Sequence, residues 1–382
     1  MNSPVYLDYN ATTPVAAEVL EAMLPYLAQH FGNPSSSHPY GGKAAEAVRT
    51  ARASVASLLG AAADEIVFTG SATEANNLAL LGVARALAGT KRHLVVSAVE
   101  HPAVIEPAVH LQGAGWELSV IPVDAYGRVD TAAVVAALRP DTALVSIMHA
   151  NNEVGTIQPV AEIAAIARAR GILLHTDAAQ SAGKIALDVD ALGVDLLTLA
   201  GHKFYAPKGV GALYVRKGTP IAPIQYGAGQ EHGLRPGTEN VAQIVGLDAA
   251  ARLARERLPA ATEKLRSMRD ALHQRLAAAV PGLMLNGHPT ERLPTTLNVS
   301  FPGIAGRELL SRVVGQVAAS VGSACHSETD AVSGVLAAMG CDASRAAGAV
   351  RLSVGWMTTP GDIDAAAAAL AEAANGLPRR RH

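Results

Sequence analysis

The chain has 382 residues, 49% hydrophobic and 17% charged, and its 31 basic and 33 acidic side chains leave a formal net charge of −2. That composition predicts a globular protein long enough for two domains, and the interspersed charges exclude a basic stripe for DNA or a polybasic membrane patch. Two cysteines, Cys325 and Cys341, cannot make a disulfide framework. The opening "MNSPVYLDYNATTPV" lacks the basic and apolar segments of a secretion signal, so the expected location is cytoplasmic.

From about residue 60 to 220, short apolar runs alternate with Ala-rich segments of helical period. In chain order the runs are "EIVFTG", "HLVVSAVEH", "ELSVIPVD", "ALVSIMHANN", "ILLHTDAAQ", "LLTLAGHK" and "GALYVR". This is the pattern of an α/β fold with a largely parallel sheet. Before the fifth run, "PVAEIAAIARARG" puts Val160, Ile163, Ile166 and Ala167 at helical spacing, and Gly171 is the expected stop. Residues 251–280 read as a long helical connector containing Pro259. Beyond it, "TTLNVSFPG", "AASVGSACHS" and "AVRLSVGW" read as strands or strand ends of a smaller C-terminal α/β domain.

Ligands of open α/β sheets bind beyond the carboxyl ends of the strands. The apolar runs end on Thr69-Gly70-Ser71-Ala72-Thr73, Glu100-His101, Asn151-Asn152-Glu153, Asp177 with Gln180, and His202-Lys203. Each alone suits an ordinary strand terminus, and Lys203 alone suits a solvated one. Together they describe a polar pocket. "TGSATEANN" joins a strand to a helix through small residues, where free N–H groups could receive a phosphate or Ser71 or Thr73 could simply cap. Neither a dinucleotide fingerprint nor a Walker loop is present. A pyridinium cofactor needs a carboxylate at its ring nitrogen and a lysine for a Schiff base, which Asp177 and Lys203 could supply. His101 could stack on such a ring. Lys184 and Lys208 compete for the lysine role, but both sit in Gly- or Pro-marked turns where a solvated side chain is expected. Asp177 with His175 could instead ligate a metal, yet no third ligand is apparent, so no metal is expected.

The motifs "YLDYNATTP", "GNPSSSH", "GSATEANN", "EHPAV", "ANNEVGTIQPV", "HTDAAQSAGK", "GHKFYAPKGVGALYVR", "RPGTEN", "GSACHSE" and "RLSVG" together resemble the cysteine desulfurases and the related selenocysteine lyases, pyridoxal-phosphate enzymes of the class V aminotransferase group. The resemblance runs in order from residue 5 to about 360. It implies a homodimer of the fold type I transferases. Residues 14–253 would form the large cofactor domain on a mostly parallel sheet, and residues 1–13 with 254–382 a small domain carrying the catalytic cysteine loop.

By this resemblance Lys203 is the Schiff-base lysine, Asp177 the partner of the pyridine nitrogen, Gln180 the contact of the ring hydroxyl and His101 the stacking imidazole. Asn152 is a ring-side or substrate contact. The phosphate falls to Ser71, Ala72, Thr73 and His202, with Thr238 reaching the phosphate of the neighbouring subunit. Arg351 matches the arginine that holds the substrate carboxylate, with Asn33 nearby, and Cys325 the sulfur-accepting nucleophile. Two positions depart from the family. Ala200 stands where many desulfurases carry a phosphate-binding serine, and Trp356 where relatives often have a basic residue.

The implied reaction converts L-cysteine to L-alanine and leaves a persulfide on Cys325, with a sulfur-acceptor protein as partner, for iron–sulfur cluster assembly or for thio-cofactor or tRNA thiolation. A selenocysteine lyase acting on L-selenocysteine shares the equipment. His326 after the cysteine leans that way and Pro102 after His101 leans towards a desulfurase. A C–S lyase or aminotransferase that does not use Cys325, or a cofactor-free scaffold, would also keep the fold. Cys341, at a helix exit, reads as structural.

Overall fold

A strand β1 (Val5–Tyr6) opens the chain, and seven strands then occupy the positions of the seven apolar runs: β2 (Ile66–Thr69), β3 (His93–Ser97), β4 (Glu117–Ile121), β5 (Thr142–Ser146), β6 (Leu173–Asp177), β7 (Leu196–Ala200) and β8 (Gly211–Val215). They form one sheet in the order β2-β8-β7-β6-β5-β3-β4. All pair in parallel except β8, which runs against both β2 and β7. Only ten residues separate Ala200 from Gly211, too few for the crossover that a parallel neighbour needs. The architecture is therefore α/β with a mostly parallel central sheet. The structure is a computed structural model that describes residues 3–322 and 333–378. Cys325 and His326 lie outside the described residues.

Alternate strand residues serve opposite faces, because side chains along a strand repeat every second position. Val95 joins the large cluster that contains Val145, Leu197 and Leu199, whereas Leu94 and Val96 join the cluster beneath the helices Ala72–Leu87 and Pro102–Gly113. With both faces covered, the strands must read as continuous apolar runs.

A second core belongs to the C-terminal part. Here β9 (Met284–Asn286), β10 (Thr296–Ser300) and β12 (Ala349–Ser353) form an antiparallel sheet, and β11 (Val317–Ala318) pairs with β1. The segment "AASVGSACHS" is thus strand only at its start, among its described residues. Leu297, Val299, Val350 and Leu352 pack with Leu7, Ile363 and Leu370. The two cores share the helix Val241–Ala279, whose first part ends in the large cluster at Ala254 and whose last part enters the small one at Leu265. No residue from 255 to 264 is buried, so the hydrogen bond that Pro259 cannot make is missing where water can reach the backbone. This helix starts at Val241 rather than near 251. Its first turns, Ala242 and Ile244 to Ala251, are buried without interruption, which removes the amphipathic period that marks a helix in sequence. No helix among the described residues is long and apolar enough to cross a membrane.

Candidate active site

The carboxyl ends of β2, β3, β5, β6 and β7 share one edge of the sheet, and a cavity of about 270 Å³ opens there. Its wall includes Ser71, Ala72, Thr73, His101, Asn152, Asp177, Gln180, Ala200, His202, Lys203 and Arg351, together with Asn10, Ala11 and Asn76. The polar strand ends that the sequence singles out thus converge on one space. Asn33 and Thr238 do not reach it. Both are exposed, and Asn33 Oδ1 accepts from Ser35 N.

Asp177 ends β6 and is 6% exposed. Its Oδ1 accepts from Ala179 N at 2.9 Å and its Oδ2 from Asn76 Nδ2 at 2.7 Å, so the carboxylate is fixed in orientation. Lys203 lies just beyond the end of β7, and its Nζ donates to the backbone oxygens of Asn10, at 2.6 Å, and Ala11, at 2.8 Å. Gln180 Nε2 donates to that same Asn10 oxygen at 3.0 Å. Behind Gln180 lies Lys184, which corrects the expectation of a solvated side chain. It is 6% exposed, and its Nζ donates to Gln180 Oε1 at 2.9 Å and Asn10 Oδ1 at 3.1 Å. Burial, then the charges of Lys203 and Arg351, hold its amine well below the ordinary lysine range. Lys208 is exposed, as expected of its turn.

Helix Ala72–Leu87 begins at the cavity with Ser71 as its N-cap, the Oγ accepting from Glu74 N at 3.1 Å. A Cβ on Gly211 would stand 2.8 Å from Ser71 C and 3.0 Å from Ala72 N. Glycine there lets β8 approach the turn and leaves the helix N-terminus, with its positive end, facing the cavity. His202 Nδ1 pairs with Thr12 Oγ1 at 3.1 Å. Burial, then Lys203, Lys208 and Lys184, bring its pKa down to about 4, so at neutral pH it is an uncharged imidazole. His101 caps helix Pro102–Gly113, its Nδ1 accepting from Ala103 N at 3.1 Å, and Pro102 stands at the first helical position where no donor is missed. Beside it, buried Glu100 receives Ser97 Oγ at 2.6 Å and Met148 N at 2.8 Å, tying the ends of β3 and β5 together. Burial pushes its carboxyl up to about 8.

Arg351 arrives from the small sheet on β12 and is 2% exposed. Nη2 pairs with Asp8 Oδ1 at 2.9 Å and Nη1 donates to Asn152 O at 3.2 Å, while buried Nε has no partner among the described residues. Trp356 does not line the cavity. It stacks on Tyr205 with centroids 3.9 Å apart, and the Arg257 guanidinium lies 5.1 Å from its ring centroid. His175, the alternative metal ligand, is enclosed between Ser146 Oγ at 2.8 Å and Thr198 Oγ1 at 3.1 Å. Among the described residues no cluster of three or more potential ligands occurs. Cys341 is half-buried, and burial pushes its thiol up, away from thiolate chemistry.

Four contributors were not legible as site residues: Asp8, Asn10, Asn76 and Lys184. Asn10 is the hub, since its Nδ2 also donates to Asn152 O and Thr296 Oγ1. Asn76 stands one helical turn into the capped helix, at i+3 from Thr73, and that spacing was the available signal. The set of groups suits pyridoxal phosphate and an amino-acid substrate: an amine, a fixed carboxylate, an amide donor, an imidazole, a helix N-terminus and a guanidinium in the cavity wall.

A family model for aminotransferase class-V matches residues 5–366. The chain is 46% identical over 365 residues to a protein named cysteine desulfurase IscS from Dictyoglomus turgidum, covering 95% of this chain and 93% of that one. Cysteine desulfurase IscS 1 of Archaeoglobus fulgidus is 46% identical over 360 residues, 94% of each chain. Among solved structures, a NifS-like protein superposes with a TM-score of 0.92 at 39% identity over 98% of this chain and all of its own. A structure titled SspA in complex with cysteine does so with a TM-score of 0.81 at 38% identity, covering 91% of this chain and 98% of that one.

Proposed function

This chain belongs to the aminotransferase class-V family and is a cysteine desulfurase, and we propose that the cavity at the sheet edge is where it takes sulfur from L-cysteine, with pyridoxal phosphate held by Lys203 and Asp177. The observation that carries this assignment is that Asp177, locked by Asn76, and Lys203 line one cavity. When bound, the cofactor supplies a sink for the electrons released at the substrate α-carbon.

The chain's residues do the rest. Asp177 would keep a proton on the ring nitrogen of the bound cofactor, because a nearby anion favours the protonated form. Gln180 would donate its N–H to the ring hydroxyl, His101 would cover the ring, and Ser71, Ala72, Thr73 and His202 would hold the phosphate at the helix N-terminus. At Ala200 no side-chain hydroxyl is available, so N–H groups and water take that share. Arg351, in the cavity wall beside Asn152, binds the substrate carboxylate. Lys203 Nζ moves the α-proton. Cys325, as thiolate, bonds to the substrate sulfur while the carbon–sulfur bond breaks, which leaves a persulfide on Cys325 and alanine as product.

Residues 14–253 form the cofactor domain in this reading, and 1–13 with 254–382 the small domain. Two copies pair, with exposed Thr238 reaching the neighbouring phosphate and Asn33 near the substrate. The exposed row Leu20, Leu24 and Leu27 on one helix supports such a pairing. The enzyme works in the cytoplasm and passes its sulfur to an acceptor protein. The test is stoichiometric: L-cysteine gives equal alanine and sulfide in the presence of a thiol reductant. Cys325→Ala abolishes sulfide release while the protein keeps its yellow colour. Undiminished release from that variant indicates a C–S lyase instead, and turnover confined to L-selenocysteine indicates the lyase branch.

A further inference from the structure

Lys184 is a buried amine that the reaction above does not use. It stands behind the cavity wall, and its two side-chain acceptors, Gln180 Oε1 at 2.9 Å and Asn10 Oδ1 at 3.1 Å, are carboxamide oxygens of residues that line the cavity. The charged groups that act on it are Lys203 and Arg351, both cations. Enclosing an amine in such surroundings costs stability unless each donor finds an acceptor. The turn itself is sealed, since a Cβ on Gly183 would lie 2.6 Å from Phe204 Cβ.

The consequence falls on Gln180. A carboxamide can turn over, exchanging its oxygen for its nitrogen, and nothing in its shape resists that. Lys184 presents its hydrogens to Oε1, and the backbone oxygen of Asn10 can only accept, so a turned-over amide would set two oxygens about 3.0 Å apart. Lys184 therefore claims the oxygen of Gln180, and Nε2 is left to donate to Asn10 O at 3.0 Å and, with its second hydrogen, into the cavity. We propose that Lys184 is a positioning residue that locks the Gln180 amide with its N–H towards the cavity, so that Gln180 donates to, and never accepts from, the oxygen of the bound ring. Asn10 is held from the same amine, so the carbonyl shared by Gln180 and Lys203 keeps its place.

This rests on the reading that Lys203 carries the cofactor, and the two fail differently. The readout is the visible absorbance of the holoenzyme titrated with pH, without substrate. A donor to the ring oxygen lowers the basicity of the chromophore. Removing it in Lys184→Met raises the titration midpoint by about one pH unit, the size expected for one hydrogen bond to a charged acceptor. Asp177, His101, His202 and Arg351 also face that space and are unchanged in the variant. Gln180→Leu raises the midpoint equally, and Lys184→Met adds nothing to it in the double variant. Gln180→Glu, which gives Lys184 a carboxylate partner and should fold where Lys184→Met does not, raises the midpoint as well. An unchanged midpoint in Lys184→Met or in Gln180→Glu overturns the proposal, as does a shift of Lys184→Met that persists on Gln180→Leu. A wild-type protein that takes up no chromophore overturns the underlying reading instead.

Discussion

Two regions meet at Asn10, and each presents a lysine to it. On the open side, Lys203 donates to the Asn10 carbonyl at 2.6 Å and lines the cavity. On the sealed side, Lys184 donates to the Asn10 side chain at 3.1 Å and is 6% exposed. The same amine chemistry serves two purposes because only one region has space for a ligand. Charge alone would not separate them, whereas burial and the cavity do.

The largest effect that sharpens this contrast is on the open side. Lys203→Ala removes the base and the attachment point, so desulfuration falls about a thousandfold, within the range of general acid–base contributions, and the visible band disappears. Were Lys203→Ala to keep both while Lys184→Met lost them, the two regions would have to exchange roles. Next comes Asp177→Asn, which keeps the size of the side chain but not its charge. We expect kcat to drop about a hundredfold, in line with the loss of one preorganised electrostatic partner, measured under saturating cofactor.

Smaller effects probe stability. Because the folded protein holds Lys184 below the ordinary lysine range, the unfolded chain binds the extra proton between the two values. That contribution therefore destabilises at neutral pH and is relieved as pH rises towards the ordinary lysine value of about 10.4. The difference in thermal midpoint between wild type and Lys184→Met should grow in favour of wild type from pH 7 to 10. His175 gives the acid counterpart. Burial lowers its pKa to about 4 from an ordinary 6.5, so its contribution is full above 6.5 and is lost as pH falls towards 4. His175→Gln should flatten that fall in a urea-unfolding series. Smallest is Ser71→Ala, which loses the cap on Glu74 N and about 1 kcal/mol of stability, read from the denaturation midpoint.

The strands and their chemical ends were legible because each apolar run stops where the backbone leaves the sheet, and the polar residues next in the chain must face the cavity. Asp177, His202 and Lys203 could be found that way. Asn10 could not, because its partner Lys203 lies 193 positions away, and nothing local marks a carbonyl as a hub. Lys184 departs from the solvated side chain expected of a Gly-marked turn for a definite reason. Gly183 does make a turn, with φ +70°, but that turn packs on Phe204 and Ala254 instead of water. The antiparallel β8 was equally hidden in the pattern, since direction is set by loop length and not by the run itself.

The most direct test of the central claim is to reduce the holoenzyme with borohydride and map the cofactor-modified lysine by peptide mass spectrometry. The account predicts the added mass on Lys203. Finding it on Lys184 or Lys208, or on no lysine of a coloured protein, would contradict it.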